Sequence, residues 1–482
     1  MLNVKKPNIK SFIIILFLVI TLLIVVNAIF IPNTIGYANN GDFERVMYGA
    51  GLENVQRTHA DQYFNYVNTQ YVITNLLLPN GVPYSISQFV IIKAAMLLDF
   101  LCSFDGYFDI RFLGATYLFL FLGLLYLILK KASKYSLIVT VVTGLAFVFI
   151  FTDISYLAYF NTFFGEVTML LTLLFTVILG LKLATEPGNR KVLIFFAIAA
   201  FLFVNSKAQN LPAGILISIF LIRMFFVVKD RKWHKACLIA AASIFVLTTV
   251  TYIVYPSDFK HINMYQSVFY GVLKDSPDVS ADLKQLGLPD EFKKLAGTNF
   301  FEPIDTDRNS QYMLDNFYAK SGPFQNTLFY MKNPQRFFQK LEISAEKSFY
   351  SRPTYLGNYT KQENPAPKAQ YPNLSYWTDL KASLIPNNLL TLIIFFATYL
   401  LLLIIFYIKN KSQRIALEFF GLIWLIAIFQ FCLPIIADGE ADLGKHLYSF
   451  SLCFDILILW VIAFLSYQVV SFIKRKKLLQ KP

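Results

Sequence analysis

Residues 86–104, ISQFVIIKAAMLLDFLCSF, decide how this chain threads a bilayer. The run is apolar enough to read as a membrane span, yet it carries Lys93 and Asp99. Charged side chains at membrane depth are costly unless they pair or line a wet cavity. The basic residues elsewhere arbitrate, because short cytoplasmic loops collect Lys and Arg. If residues 86–104 cross, then Lys130, Lys131 and Lys134 fall outside and every later basic loop is inverted. If they lie in the interface as an amphipathic helix, six clusters fall inside. These are Lys5/Lys6/Lys10, Lys130/Lys131/Lys134, Lys182/Arg190/Lys191, Lys229/Arg231/Lys232/Lys235, Lys409/Lys411/Arg414 and Lys474–Lys477 with Lys481, 21 basic residues in all. Only Lys207 and Lys445 then occupy the three short outer loops, while the longer segment 32–110 holds Arg45, Arg57 and Lys93. The asymmetry selects the second threading, with residues 86–104 along the outer surface.

Outward from that segment, ten spans are expected at about 12–31, 111–129, 135–152, 166–183, 192–205, 211–228, 236–254, 388–408, 415–437 and 447–473, with both termini cytoplasmic. The first run is twenty residues, long enough to cross. It has no small-x-small cleavage site before Pro32, so it reads as an uncleaved helix. Three regions follow: a membrane region 1–254 with its outer segment 32–110, an extracytoplasmic region 255–387, and a membrane region 388–482. Helical patterns are expected at 280–296, 309–320 and 334–349, and residues 350–386, rich in Pro, Tyr and Asn, are expected to be irregular.

Composition agrees: of 482 residues, 56% are hydrophobic and only 15% charged, as in an all-α polytopic membrane protein of the cell membrane. The net charge of +13 sits in loop clusters, so nucleic acid is not the expected partner; the lipid bilayer is. The four cysteines have neither zinc-ligand nor disulfide spacing and read as small core residues.

Polar residues then gather on the outer side. Residues 36–51, GYANNGDFERVMYGAG, place Asp42, Glu44 and Arg45 just after the first span. Arg111 opens the second span; Asp153, Asn161 and Glu166 lie in TDISYLAYFNTFFGE; Lys207, Gln209 and Asn210 lie in SKAQN. DGEADLGKH holds Asp438, Glu440, Asp442, Lys445 and His446. A carboxylate can deprotonate an attacking hydroxyl, and cations can stabilise a departing phosphate. No nucleotide-sugar pool exists outside the cell membrane, so an activated sugar there is expected on a polyprenyl phosphate. Asp42 and Glu44 are the candidate bases. Arg111, Lys207, Lys445 and His446 are the candidate phosphate ligands. Asp153, Asn161, Glu166, Gln209, Asp438, Glu440 and Asp442 are candidates for the acceptor and the rest of the site. Each has a plainer reading: Asp42 and Glu44 could start an interfacial helix, and Lys207 could be a snorkelling anchor. Asp438, Glu440 and Asp442 alternate like ligands of a divalent cation, although oxygen-rich sites need more convergence than spacing alone provides.

The layout resembles the GT-C superfamily of integral-membrane glycosyltransferases, and NNGDFERV, YFNTFFGE, SKAQN and ADLGKH together are similar to its bacterial WsfD-like glycan hexose transferase branch. The resemblance implies a first-loop catalytic acid at Asp42, a polyprenyl-phosphate sugar donor and a glycan or cell-wall polymer acceptor. Many members carry two adjacent acids, whereas this chain has Asp42-Phe43-Glu44, which leaves the choice of base open. Two other functions remain open. A lipid-linked-glycan flippase or transporter would favour repeats and midplane polar groups, neither of which is apparent. A glycan polymerase or ligase would use His261, Arg308, Arg336 or Arg352 of the large outer segment.

Overall fold

The computed structural model describes residues 9–81, 84–349 and 352–479. Lys5, Lys6 and Lys481, counted among the basic clusters, lie outside the described residues. Helices occupy all ten expected positions: Ile9–Ile29, Ile110–Ala132, Leu137–Phe151, Glu166–Thr185, Arg190–Val204, Leu211–Phe225, Arg231–Val254, Leu389–Lys409, Arg414–Asp438 and Tyr448–Leu479. Among the described residues, nine helices are long and apolar enough to cross a membrane. That set includes Ile86–Ser103 and omits Leu137–Phe151 and Arg190–Val204, each of 15 residues. At 1.5 Å per residue those two reach only about 22 Å.

Ile86–Ser103 is a helix, and its contacts show how it lies. At its start, the Ser85 hydroxyl donates to the carbonyl of Asn205 (2.8 Å) and that of Ser87 to Leu202 (2.6 Å), at the end of Arg190–Val204. At its finish, Asp99 accepts from the backbone of Asp109 (2.6 Å), which caps Ile110–Ala132. Four long helices run in succession from Asp109 to Asn205, with only the one-turn Ile154–Leu157 besides, so both residues sit at one end of the bundle. The helix therefore lies along that end. Its faces agree: Ile92, Ala95, Met96 and Asp99 are buried, whereas Val90, Leu97 and Leu101 are exposed. Burying Asp99 is tolerable because Ser103 and a backbone amide satisfy it.

The opposite end collects the basic clusters. Lys10 donates to the carbonyl of Ser133, Lys131 reaches Thr185 (3.4 Å), and Arg223 pairs with Glu418 (3.0 Å).

On either side of Ile86–Ser103 in the chain lie the parts of a small feature not expected from sequence. Strands Leu52–Asn54, Gln70–Ile73 and Tyr107–Asp109 form an antiparallel sheet in that order, with Glu53 opposite Val72 and Tyr71 opposite Phe108. Segments of three or four residues are too short for alternation to register.

The large outer segment packs down on the same end as Ile86–Ser103 and shares the bundle's apolar core. It contributes helices Ser257–Ser267, Val279–Leu286, Pro323–Lys332, Pro334–Lys347 and Tyr376–Leu384. The last falls where irregular chain was expected. Asp153 organises its start by accepting from the backbone of Trp377 (3.0 Å) and Thr378 (2.9 Å). Phe349 meets Phe454 (5.0 Å between ring centroids), tying this segment to the final helix. The cysteines are all unpaired, and Cys102 is exposed rather than in the core.

Candidate functional site

After the first span the chain runs without regular secondary structure along the large outer segment. Gly36 and Ala38 donate from their backbones to Asn358 (3.1 Å) and Gly357 (2.8 Å) of the large outer segment. It then turns sharply. The Asn39 side chain accepts from the amides of Gly41 (2.8 Å) and Phe43 (3.2 Å), and that of Asn40 from Asp42 (3.1 Å). The two asparagines thus do the capping work, and the Asp42 carboxylate is left to face outward from the turn. Phe43 is buried against Phe163 and Phe164, which fixes the turn on the bundle end.

The turn forms one wall of a small cleft of about 30 Å³, lined by Asp42, Arg45, Tyr84, Gln88, Glu166, Lys207 and Lys445 among others. Asp42 pairs with Lys445 on one oxygen and with Arg45 (3.0 Å) on the other. Lys207 pairs with Glu166 at 2.8 Å. The Lys445 ammonium is 3% exposed and also lies 4.0 Å over the Phe164 ring, while the Arg45 guanidinium covers Phe259 at 4.6 Å. Burial by itself would raise the Asp42 carboxyl. Lys445 foremost, then Arg45, with Lys207 behind them, outweigh burial and hold it well below the usual carboxylate range. Burial likewise disfavours the Lys445 charge, but Asp42, Asp442 and Glu166 more than compensate and raise its pKa. The cleft therefore brings Lys445, Arg45 and Lys207 into ion-pair distance of two carboxylates, Asp42 and Glu166. Such pairs are retained at a desolvation cost, so an anion that displaces a carboxylate from Lys445 or Arg45 finds a preformed seat.

The loop carrying Lys445 is fixed from beneath. Glu440 is buried and accepts from both Lys274 and Lys340 of the large outer segment. Gly439, at φ +66°, lies so close to the backbone that an added Cβ would meet the Gln266 carbonyl at 2.6 Å and Gly271 at 2.9 Å. Asp442 accepts from Tyr355 (2.7 Å), whose hydroxyl also accepts from Asn40 (3.3 Å). His446 binds Asp438 at 2.8 Å, and its carbonyl accepts from Gln209 (2.7 Å).

The expected residues thus separate. Asp42, Glu166, Lys207 and Lys445 share the cleft. Asp438, His446, Gln209, Glu440 and Asp442 form the scaffold beside and under it rather than lining it. Three expectations need correction. Glu44 does not line the cleft: Asn39 (3.0 Å), Asn54 (3.3 Å) and Tyr63 (2.9 Å) all donate to its carboxylate and turn it into a brace for the turn. Arg111 is half-exposed and forked onto its own cap, Asp109, away from the cleft lining. Asp153 and Asn161 are structural: Asp153 caps helices, and the buried Asn161 amide clasps the carbonyls of Ile29 and Ile35, both at 2.9 Å. Asp438, Glu440 and Asp442 bind His446, two lysines and Tyr355 respectively. They do not converge on a cation, and no group of three metal-ligating side chains occurs among the described residues.

Arg45 was grouped with the outer polar residues but given no role, and Tyr84 was not expected in the site. Arg45 stands three residues after Asp42, one helical turn, which is the only sequence signal for it. The basic residues considered for a polymerase are all engaged elsewhere. Arg336 pairs with Asp282, Arg308 donates to the Asn299 and Glu302 carbonyls, Arg352 donates to Tyr371 (2.8 Å), and His261 stacks on Tyr318.

The profile of the YfdI N-terminal transmembrane domain matches residues 2–481. A relative, the uncharacterized protein YfdI of Escherichia coli (strain K12), is 22% identical over 381 residues, which is 77% of this chain and 80% of that protein. No solved structure matches.

Proposed function

The chain belongs to the family of the YfdI N-terminal transmembrane domain, and from its cleft we propose that it is a membrane glycosyltransferase of GT-C type. It moves a hexose from a polyprenyl-phosphate donor to a cell-surface glycan or polymer at the outer leaflet. The observation that carries this reading is the placing of one carboxylate, Asp42, between Lys445 and Arg45, with Lys207 in the same cleft. The basic asymmetry supports an outward-facing site end.

In this reading the donor phosphate enters the cleft and takes over Lys445, Arg45 and Lys207 through charge-assisted hydrogen bonds. Asp42 loses the cations that depress its basicity, so it becomes a competent base only once donor is bound. The acceptor hydroxyl passes its proton to Asp42 as its oxygen attacks the anomeric carbon. The bond from that carbon to the phosphate oxygen breaks, and polyprenyl phosphate leaves with its charge held by the same three cations. Glu166 keeps Lys207 oriented. The test is transfer from a polyprenyl-phosphate hexose by reconstituted protein. Full turnover in Asp42→Asn would remove the assigned role. Turnover with nucleotide sugars instead would move the reaction to the other side of the membrane.

A further inference from the structure

A second cleft, of about 140 Å³, lies where the first outer segment meets the late part of the large one. Its two walls are joined by a parallel bridge between Val67 and Thr360, with the Val67 amide donating to the Tyr359 carbonyl (2.9 Å). They are joined again by the ion pair of Asp61 with Lys361 (2.7 Å). Ligand pockets are ordinarily lined mainly by apolar side chains; this one is lined mainly by polar ones. Gln56, Gln70 and Gln362 line it, the last two exposed, and their side-chain amides have no hydrogen-bond partner among the described residues.

Three features of this lining bear on the ligand. Each free amide offers both donors and an acceptor, which matches a hydroxyl group on both counts. Asp61 and Lys361 cancel, and no other charged side chain lines the cleft, so neither an anion nor a cation is favoured. Tyr66, half-buried in the wall, supplies one flat apolar surface. A ligand rich in hydroxyls, uncharged and with an apolar ring face satisfies all three.

We propose that this cleft binds a neutral oligosaccharide, and that it holds acceptor sugar units neighbouring the one that is glycosylated. The second clause rests on the glycosyltransferase reading; the first does not. The two clefts are built on one hydrogen-bonded unit. Asn39, which shapes the Asp42 turn, bridges to Tyr63, accepts from the Phe64 amide (2.8 Å), and shares Glu44 with the Tyr63 hydroxyl. The chain then runs directly from Phe64 into the cleft wall at 66–70.

The experiment is saturation-transfer NMR on the full chain in lipid nanodiscs. The probes are a panel of neutral di- to tetrasaccharides, with an acidic and a cationic oligosaccharide of matched length. At least one neutral member is expected to bind. Tyr66→Ala and the exposed-site variant Gln362→Ala should each weaken it by about tenfold, the scale of one or two lost hydrogen bonds, and Asp42→Asn should leave it unchanged. Absence of neutral binding up to about 10 mM, where even weak sites register, overturns the inference. So does equal binding of the charged probes, or undiminished binding in the Tyr66→Ala/Gln362→Ala double variant of native melting temperature. Groove-dependent binding without glycosyl transfer supports the site and removes only the catalytic reading. Transfer without any such binding removes only the site.

Discussion

Asp42 has two partners and one exposed edge, and that environment yields two separable consequences. Asp42→Asn keeps size and hydrogen bonding but removes proton acceptance, so turnover should fall by roughly the 10²–10⁴ that a positioned base supplies. A transfer assay at saturating donor reads this. Glu44→Gln should instead lower the melting temperature, because Asn39, Asn54 and Tyr63 hold that carboxylate as a brace. The second consequence concerns pH. The Asp42 carboxyl is depressed in the folded protein by Lys445 and Arg45 against the opposing effect of burial. A depressed carboxyl stabilises fully above its unfolded value near 3.9, and that stabilisation is lost as pH falls toward the folded value. The melting-temperature gap between wild type and Asp42→Asn should therefore hold constant from pH 8 to 5 and shrink below about 4. A gap that closes near pH 6 would assign the effect to another group. At this scale the sequence was informative where a residue followed a span closely, as with Asp42, and uninformative about direction. Arg111 and Lys445 both look like cations at helix ends, yet one forks onto its own cap and the other points into the cleft.

Elements were more legible than side chains, because hydrophobic length and basic flanks are properties of whole segments. All ten expected helices form, and Ile86–Ser103 lies along one end of the bundle, as the distribution of lysines and arginines required. Length and apolarity alone would have made it a span. The three short strands and the Tyr376–Leu384 helix were not legible, since long-range partners rather than local pattern create them: strand pairing in one case, Asp153 in the other. Two outcomes follow at this scale. In a cysteine-free background, Cys102 included, an impermeant thiol reagent applied outside should modify cysteines at Asp105 and Lys260 and spare those at Lys134 and Lys232. Modification at Lys134 would make Ile86–Ser103 a span. Asp99→Ala should strip the Asp109 amide of its buried acceptor and cost about 1–3 kcal/mol, seen as a lower melting temperature without loss of membrane insertion.

At the scale of the whole molecule, the cleft is assembled from blocks hundreds of residues apart, and the large outer segment bears on it both at the Asp42 turn, through Phe259, Tyr355 and the 357–358 backbone, and through the loop that carries Lys445. Glu440 is the joint: it is buried in that loop and gripped by Lys274 and Lys340 from outside. A buried carboxylate that loses one of two cations is left undercompensated. Relaxation then favours movement of the loop, since Gly439 and Gly271 meet closely but without side chains to interlock. Lys340 touches neither Asp42 nor the cleft lining, so its removal should act through the position of Lys445 alone. Lys340→Met, which keeps the buried chain length, should weaken donor binding roughly ten- to hundredfold, the scale of a charge-assisted hydrogen bond lost at Lys445. Turnover at saturating donor should change little, because Asp42 stays on its own turn. Measuring KM and kcat separately distinguishes this from general loosening of the fold, which would lower kcat and the melting temperature together. A Glu440→Gln/Lys340→Met pair should be no worse than either single change if the two side chains act as one joint, and a pair whose losses add would show that Lys340 serves the cleft by another route.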